Sequence, residues 1–403
     1  MNDVGGIMKY KYLNLKYALI NAFYLFLICA TIGYAANYLL SKGFSNSVVG
    51  TALAAVSICG VLFQGFFAPI IDRSQKLDEK RFISITLILT AVMSLLMYLM
   101  PSASVFLLVL VVIGFTFANA GMPFINSIAF IYEKEGQTIN YGLCRGIGSA
   151  AYAVGSLVIG RYLNLTLSGG REPASYLPLI YIAIALVTLL LVWTLETPER
   201  HPSQQAEAGE KANYAVFFRK YSHLLPVLCG MVLIYTCHMM INNFMINVIT
   251  NVGGNSANQG TALFIQAMSE LPPMFMLSKI LAKFDVDKVM VFAGIFYSVK
   301  HLLVWMAPNI AVLYGSMLLQ MLSYALMMPA AVYFSNKHIR EEDRNQGQAV
   351  MMWTTTVGGI IASLIGGVLM DHLSVSAALL IGFIISVAGT LMMVWGIRRL
   401  KAE

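Results

Sequence analysis

Apolar residues run along this chain in long blocks separated by short polar stretches. Blocks long enough to cross a bilayer occupy roughly 15–40, 46–71, 82–100, 103–131, 142–166, 176–195, 222–250, 257–282, 288–307, 309–335, 345–371 and 374–397. About 20 apolar residues suffice to cross as a helix. The pattern predicts an all-α membrane protein with twelve transmembrane helices. One long hydrophilic gap, ETPERHPSQQAEAGEKANYAVFFRKY at 196–221, divides the blocks six and six. The expected organisation is an N-terminal six-helix half at 1–195, a cytoplasmic linker at 196–221 and a C-terminal six-helix half at 222–403.

Charge placement supports the count. With the N-terminus in the cytoplasm, 21 of the 26 Lys and Arg residues fall in inner segments. Only Lys42, Arg161 and Arg171 fall in outer loops, and Arg145 and Lys300 lie within spans. This asymmetry follows the positive-inside rule and places both termini inside. One helix more or fewer would scramble it. The expected location is the cytoplasmic (inner) membrane, crossed many times.

Composition agrees: 58% of residues are hydrophobic and 11% charged, against about 25% charged in soluble domains. The net charge of +7 does not point to nucleic acid, because the cations are spread over the inner loops. The five cysteines all lie in apolar blocks without CxxC spacing, so neither a metal site nor a disulfide framework is expected. The first apolar block is too long for a signal h-region and reads as a retained helix. There is no nucleophile elbow, phosphate loop or metal-spaced cluster, so an enzyme or a bound cofactor is not expected.

The halves echo each other. Ser156–Gly160 (SLVIG) has a counterpart in Ser363–Gly367 (SLIGG). The loop after the second span carries Asp72 and Arg73 with Lys76, Lys80 and Arg81; the loop after the eighth carries Lys283, Asp285, Asp287 and Lys288. Two such halves, related by an axis along the membrane normal, form the transporter arrangement with a solute site between them.

Several polar residues interrupt the apolar blocks. Arg145 lies in the glycine-rich fifth span, YGLCRGIGSAAYAVGSLVIG. A guanidinium there costs from about 2.5 kcal/mol upward. It is placed either to face a polar cavity or to snorkel to the surface, roughly 7 Å away. Gly142, Gly146 and Ala150 share one helix face, where another helix is expected to approach closely. Glu270 is the one acidic residue deep in a span. It lies 12 residues from Ala282, and Lys300 lies 12 residues beyond Lys288. Both are then about 18 Å deep, which allows pairing. Pro272 and Pro273 remove two backbone donors and predict a bend at Glu270 beside a wet cavity. Gln266 lies one turn earlier on the same face. Asn119, Pro123 and Asn126 form a stripe on the fourth helix, and His238, Asn242 and Asn243 lie in the seventh. Such residues more often join helices than bind ligands. His301 adjoins Lys300 but points elsewhere, and the 24 methionines chiefly fill gaps.

Taken together, Asn119-Ala-Gly-Met-Pro123 with Asn126, Gly142-Leu-Cys-Arg145 with Gly148 and Tyr152, and Met268-Ser269-Glu270 resemble motifs of the major facilitator superfamily. Within it they are similar to the oligosaccharide:proton symporters typified by lactose permease. The resemblance implies that Arg145 binds sugar hydroxyls, Tyr152 stacks on the ring and Glu270 shares the sugar. It also implies that Asp72-Arg73 belong to a gating loop, with Ala68 and Ser74 departing from the pattern, and that Lys300 stands where that family keeps an arginine. Other departures are Asn126, where the family has a carboxylate, and His238 and Ile241, which replace an acidic pair. The tenth-helix stretch Gln320–Pro329 has no charge at all.

The expected function is secondary transport of a small polar solute, a sugar, oligosaccharide or nucleoside, by alternating access. The candidate solute-binding residues are Arg145, Glu270, Tyr152, Asn119, Asn126, His238 and Lys300. Glu270 is the candidate proton carrier for symport. The expected partners are the solute, a proton and the lipid bilayer, with the chain acting as a monomer. Three alternatives stay open: an efflux pump for drugs or lipophilic cations, an organic-anion carrier, and a sensor that moves nothing.

Overall fold

The computed structural model describes residues 12–74, 77–100, 102–134, 136–166, 172–196 and 214–400. The chain forms two compact units, Met1–His201 and Pro202–Glu403. Of the linker expected at 196–221, residues 197–213 lie outside the described residues.

The first unit contains α1 (Leu13–Ile28), a π turn (Cys29–Gly33), α2 (Ala35–Ser41), α3 (Asn46–Arg73), α4 (Glu79–Leu99), α5 (Val105–Ala120), α6 (Met122–Lys134), α7 (Tyr141–Leu163) and α8 (Leu177–Trp193). The second contains α9 (Tyr214–Lys220), α10 (Leu225–Asn243), α11 (Met245–Asn251), α12 (Ser256–Ser269), α13 (Leu271–Lys283), α14 (Val286–Met306), α15 (Ile310–Leu318), α16 (Tyr324–His338), α17 (Arg344–His372) and α18 (Val375–Leu400).

Helix starts follow local chemistry. Ser45, Asp78, Ser104, Asn140, Asn255 and Asn309 each accept a backbone N–H from the first turn of the helix they precede. Such side chains satisfy donors that have no partner within the helix. Asn255 and Asn258 form a reciprocal capping box at the start of α12.

Eleven described helical segments are long and apolar enough to cross a membrane. The twelfth expected span, 257–282, is present as α12 and α13, which meet at Glu270. Each is too short to cross alone, at 14 and 13 residues. Large apolar side chains such as Leu62 and Phe66 on α3, Leu190 on α8 and Trp395 on α18 stand more than half exposed. Exposed apolar surface on this scale needs a cover, and a bilayer supplies it.

Packing within each unit relies on close backbone approach. A Cβ at Gly230 would lie 2.6 Å from the Gly389 carbonyl oxygen, so α10 and α18 meet backbone to backbone. In the first unit, a Cβ at Gly148 would lie 2.7 Å from Leu25 Cδ1 and 3.1 Å from the Asn21 carbonyl oxygen. The sequence placed the close-packed face of α7 at Gly142, Gly146 and Ala150. The structure moves it. A Cβ at Gly146 would meet nothing within 4 Å, and the contact with α1 runs through Gly148 and Gly155.

Candidate functional site

Helix α7 has three distinct faces. Leu143, Ile147, Val154 and Val158 are exposed. Cys144, Gly148, Gly155 and Ile159 are buried. Arg145, Ser149, Tyr152 and Ser156 follow at i, i+4, i+7 and i+11, and at about 100° per residue they lie opposite the exposed stripe. Arg145 is therefore turned away from the lipid-facing side. Its Nη1 donates to Ser149 Oγ at 3.2 Å, one turn along the same face. Tyr152 lies against the π turn, its hydroxyl 3.1 Å from where a Cβ on Gly33 would stand. A π turn widens a helix locally and often marks a functional position.

Asn119 is half-buried near the end of α5, and α6 resumes after Gly121. Asn126, on α6, has a buried side-chain oxygen with no partner among the described residues. An acceptor left in that state costs about 1–3 kcal/mol unless a ligand or water serves it. Asp72 and Arg73 end α3, but their side chains lie outside the described residues.

The second unit holds a longer polar chain. Lys300 Nζ donates to Gln320 Oε1 at 2.6 Å, and Gln320 Nε2 donates to Glu270 Oε1 at 2.8 Å. The sequence allowed a direct Glu270–Lys300 pair. The structure instead inserts a neutral amide, which presents its oxygen to the ammonium and its nitrogen to the carboxylate. Lys300 is 0% exposed and Gln320 1%, while Glu270 is only partly buried. The accessible end of the chain is thus the carboxylate.

Backbone breaks build this geometry. Glu270 sits where α12 ends and α13 begins, ahead of Pro272. Gln320 sits in a short 3-10 turn, Leu319–Met321, between α15 and α16. Irregular backbone at membrane depth is tolerated where polar groups or water satisfy it. Both bridging residues stand at such interruptions.

A second chain runs beside the first. Gln266 Nε2 donates to Asn242 Oδ1 at 3.1 Å, and Asn242 Nδ2 lies 3.0 Å from His238 Nε2. With the amide donating, the neutral His238 ring carries its proton on Nδ1. That nitrogen and Gln266 Oε1 are both buried with no partner among the described residues. His238 stacks on Tyr324 with ring centroids 5.4 Å apart. His301 does point elsewhere: its Nδ1 lies 2.8 Å from Ser386 Oγ. Asn243 Nδ2 donates to Ser363 Oγ at 2.8 Å and ties α10 to α17.

The chain thus sets the ionisable Glu270 at one helix break and the neutral Gln320 at another. The profile of the MFS_1 like family matches residues 12–381. The chain belongs to that family. It is a membrane transporter of the major facilitator type. Among curated relatives it is 24% identical to the uncharacterized transporter YwbF of Bacillus subtilis (strain 168), over 93% of this chain and 91% of the relative. It is 23% identical to a maltose permease of Geobacillus stearothermophilus, over 74% of this chain and 73% of that one. Among solved structures it is similar to a mutant form of the nucleoside transporter NupG, with a TM-score of 0.83 at 15% identity, covering 95% of this chain and 99% of that one.

In this facilitator, sequence reasoning missed Gln320. The only signal was an amide in an otherwise apolar span, and its partners are 20 and 50 residues away. Tyr297 and Tyr324, which flank His238, were also missed, since aromatic residues in a span do not differ in pattern from packing residues.

Proposed function

We propose that this facilitator carries a small polar solute rich in hydroxyl or amide groups, a sugar, oligosaccharide or nucleoside, in symport with a proton across the cytoplasmic membrane. In this reading Arg145, Tyr152, Asn119 and Asn126 of the first unit and Glu270 of the second bind the solute. The planar guanidinium of Arg145 suits paired hydroxyls, a geometry lysine does not reproduce. Tyr152 supplies a ring face, and the Asn126 oxygen, which has no partner among the described residues, accepts a hydrogen bond.

The observation that carries this reading is the Lys300–Gln320–Glu270 chain, whose accessible end is the carboxylate. Glu270 takes and releases the proton. Gln320 has no titratable group, so it holds the carboxylate without competing for that proton. Lys300 and His238 are fully buried; they act as positioning residues, through Gln320 and through Asn242 and Gln266. Asp72 and Arg73 belong to the gating loop in this reading. The Lys300 ammonium is already engaged by Gln320, which gives the organic-anion alternative less support.

A screen by thermal unfolding tests the solute class, because a ligand stabilises the state it binds. Sugars or nucleosides are expected to raise the Tm of the purified protein, and Arg145→Lys to abolish that rise. A response confined to lipophilic dyes or to small carboxylates would overturn the assignment.

A further inference from the structure

A polar seam joins α14 to α18 inside the second unit. Thr390 Oγ1 donates to the Gly294 carbonyl oxygen at 3.0 Å. Ser298 Oγ lies 2.9 Å from Thr390 Oγ1 and 3.5 Å from Ser386 Oγ. His301 Nδ1 lies 2.8 Å from Ser386 Oγ. Each hydroxyl has one proton to give. The Thr390 proton is spent on the carbonyl, so Ser298 donates to Thr390. Ser386 then donates to Ser298, and the imidazole N–H donates to Ser386. This is the one assignment in which all four contacts are hydrogen bonds. It puts the His301 proton on Nδ1, and in the neutral ring Nε2 is left as an acceptor.

His238 carries the opposite need. Its Nε2 receives the Asn242 amide, so its proton is on Nδ1 and that nitrogen is a donor. His238 Nδ1 and His301 Nε2 are both buried with no partner among the described residues. One is a donor and the other an acceptor. The two rings stack with centroids 6.4 Å apart and an interplanar angle of 30°. The Tyr297 ring lies 5.3 Å from one and 5.6 Å from the other, so the three rings flank a common space. A donor and an acceptor buried without partners are both costly, and internal water is the usual remedy.

We propose that one water molecule is bound between His238 and His301, accepting from His238 Nδ1–H and donating to His301 Nε2. Two bonds of about 2.8 Å let a single water join atoms up to about 5.6 Å apart, the scale of this ring spacing. A metal ion does not fit, because it needs a lone pair from each ring and His238 Nδ1 carries a proton. A passenger hydroxyl would satisfy the same atoms, but both histidines are 1% exposed, so the site is closed to a solute. The water joins the Gln266–Asn242–His238 chain to the seam between α14 and α18, and three separate helices share one hydrogen-bonded line.

Solid-state NMR of the full chain in lipid vesicles, labelled with 15N-histidine, tests this. The two rings are assigned by the signals lost in His238→Asn and in His301→Gln. In the wild type both rings are expected to carry their proton on Nδ1, and magnetisation from bound water should reach His238 Nδ1. His301→Phe removes the acceptor, and that transfer should be lost. His301→Gln, whose amide oxygen can stand in for Nε2, should keep it. A proton on Nε2 of either ring in the wild type would overturn the proposal, as would protonation of both nitrogens of one ring. So would a wild type without water transfer at His238, or transfer of undiminished size in His301→Phe. The wild-type spectrum decides by itself if the phenylalanine variant fails to fold.

Discussion

Gln320 is the residue on which the buried charges turn. It is 1% exposed and contacts a lysine that is 0% exposed. Gln320→Leu removes the acceptor and leaves Lys300 a buried cation without that partner. Leaving a buried donor without its acceptor costs about 1–3 kcal/mol, and more where the donor is charged. The expected result is a Tm lowered by many degrees, or failure to purify, read by thermal unfolding in detergent. Gln320→Glu keeps an acceptor for Lys300 but places a second carboxylate beside Glu270. It should purify normally and lose proton-coupled uptake. A stable, fully active Gln320→Leu variant would contradict the role given to the amide. Glu270 and Lys300 were legible in the sequence because a charge in an apolar block stands out. Gln320 was not, because an uncharged amide does not, and its place between them depends on which way three helices turn.

Helix α7 shows what periodicity resolves at the scale of an element and what it leaves open. Spacing put Gly142, Gly146 and Ala150 on one face, but Gly148 and Gly155 define another, and small residues alone do not choose between them. Only the neighbour decides. A Cβ at Gly148 would strike Leu25 and the Asn21 backbone, while one at Gly146 would meet nothing. Gly146→Ala is therefore expected to change stability by no more than about 1 kcal/mol, and to raise it if anything, through helix propensity. Gly148→Leu overpacks the α1 contact and should cost about 1–3 kcal/mol or more. Thermal unfolding of the two variants side by side checks the assignment, and equal effects would contradict it. The break at Glu270 was legible for a firmer reason. Two consecutive prolines remove two backbone donors, and a helix cannot continue unchanged through them.

For the whole molecule, the sequence yielded the number of spans more completely than the site. Among the described residues, eleven of the twelve blocks appear as helical segments long and apolar enough to cross, some of them interrupted, and the twelfth as two shorter helices meeting at Glu270, because hydropathy counts residues and is blind to a helix interruption. The charge asymmetry adds an expectation about orientation. Cysteines introduced singly at Ser203 and at Lys401, in a background lacking the five native cysteines, should both be labelled by a membrane-impermeant maleimide only when the cytoplasmic face is opened. Labelling of either from the outside would contradict the placement of both ends within the cell. The comparisons agree with the fold over nearly the whole chain, but they do not choose the solute. That choice belongs to a few side chains.

The central claim is that Glu270 carries the proton that accompanies the solute. Proteoliposomes with a pH-sensitive dye in the external medium measure it most directly. Adding solute to the wild type should make the medium more alkaline as protons enter with it. In Glu270→Gln, solute binding and exchange should persist without that change. Solute-driven proton uptake of normal size in the Glu270→Gln protein would contradict the account.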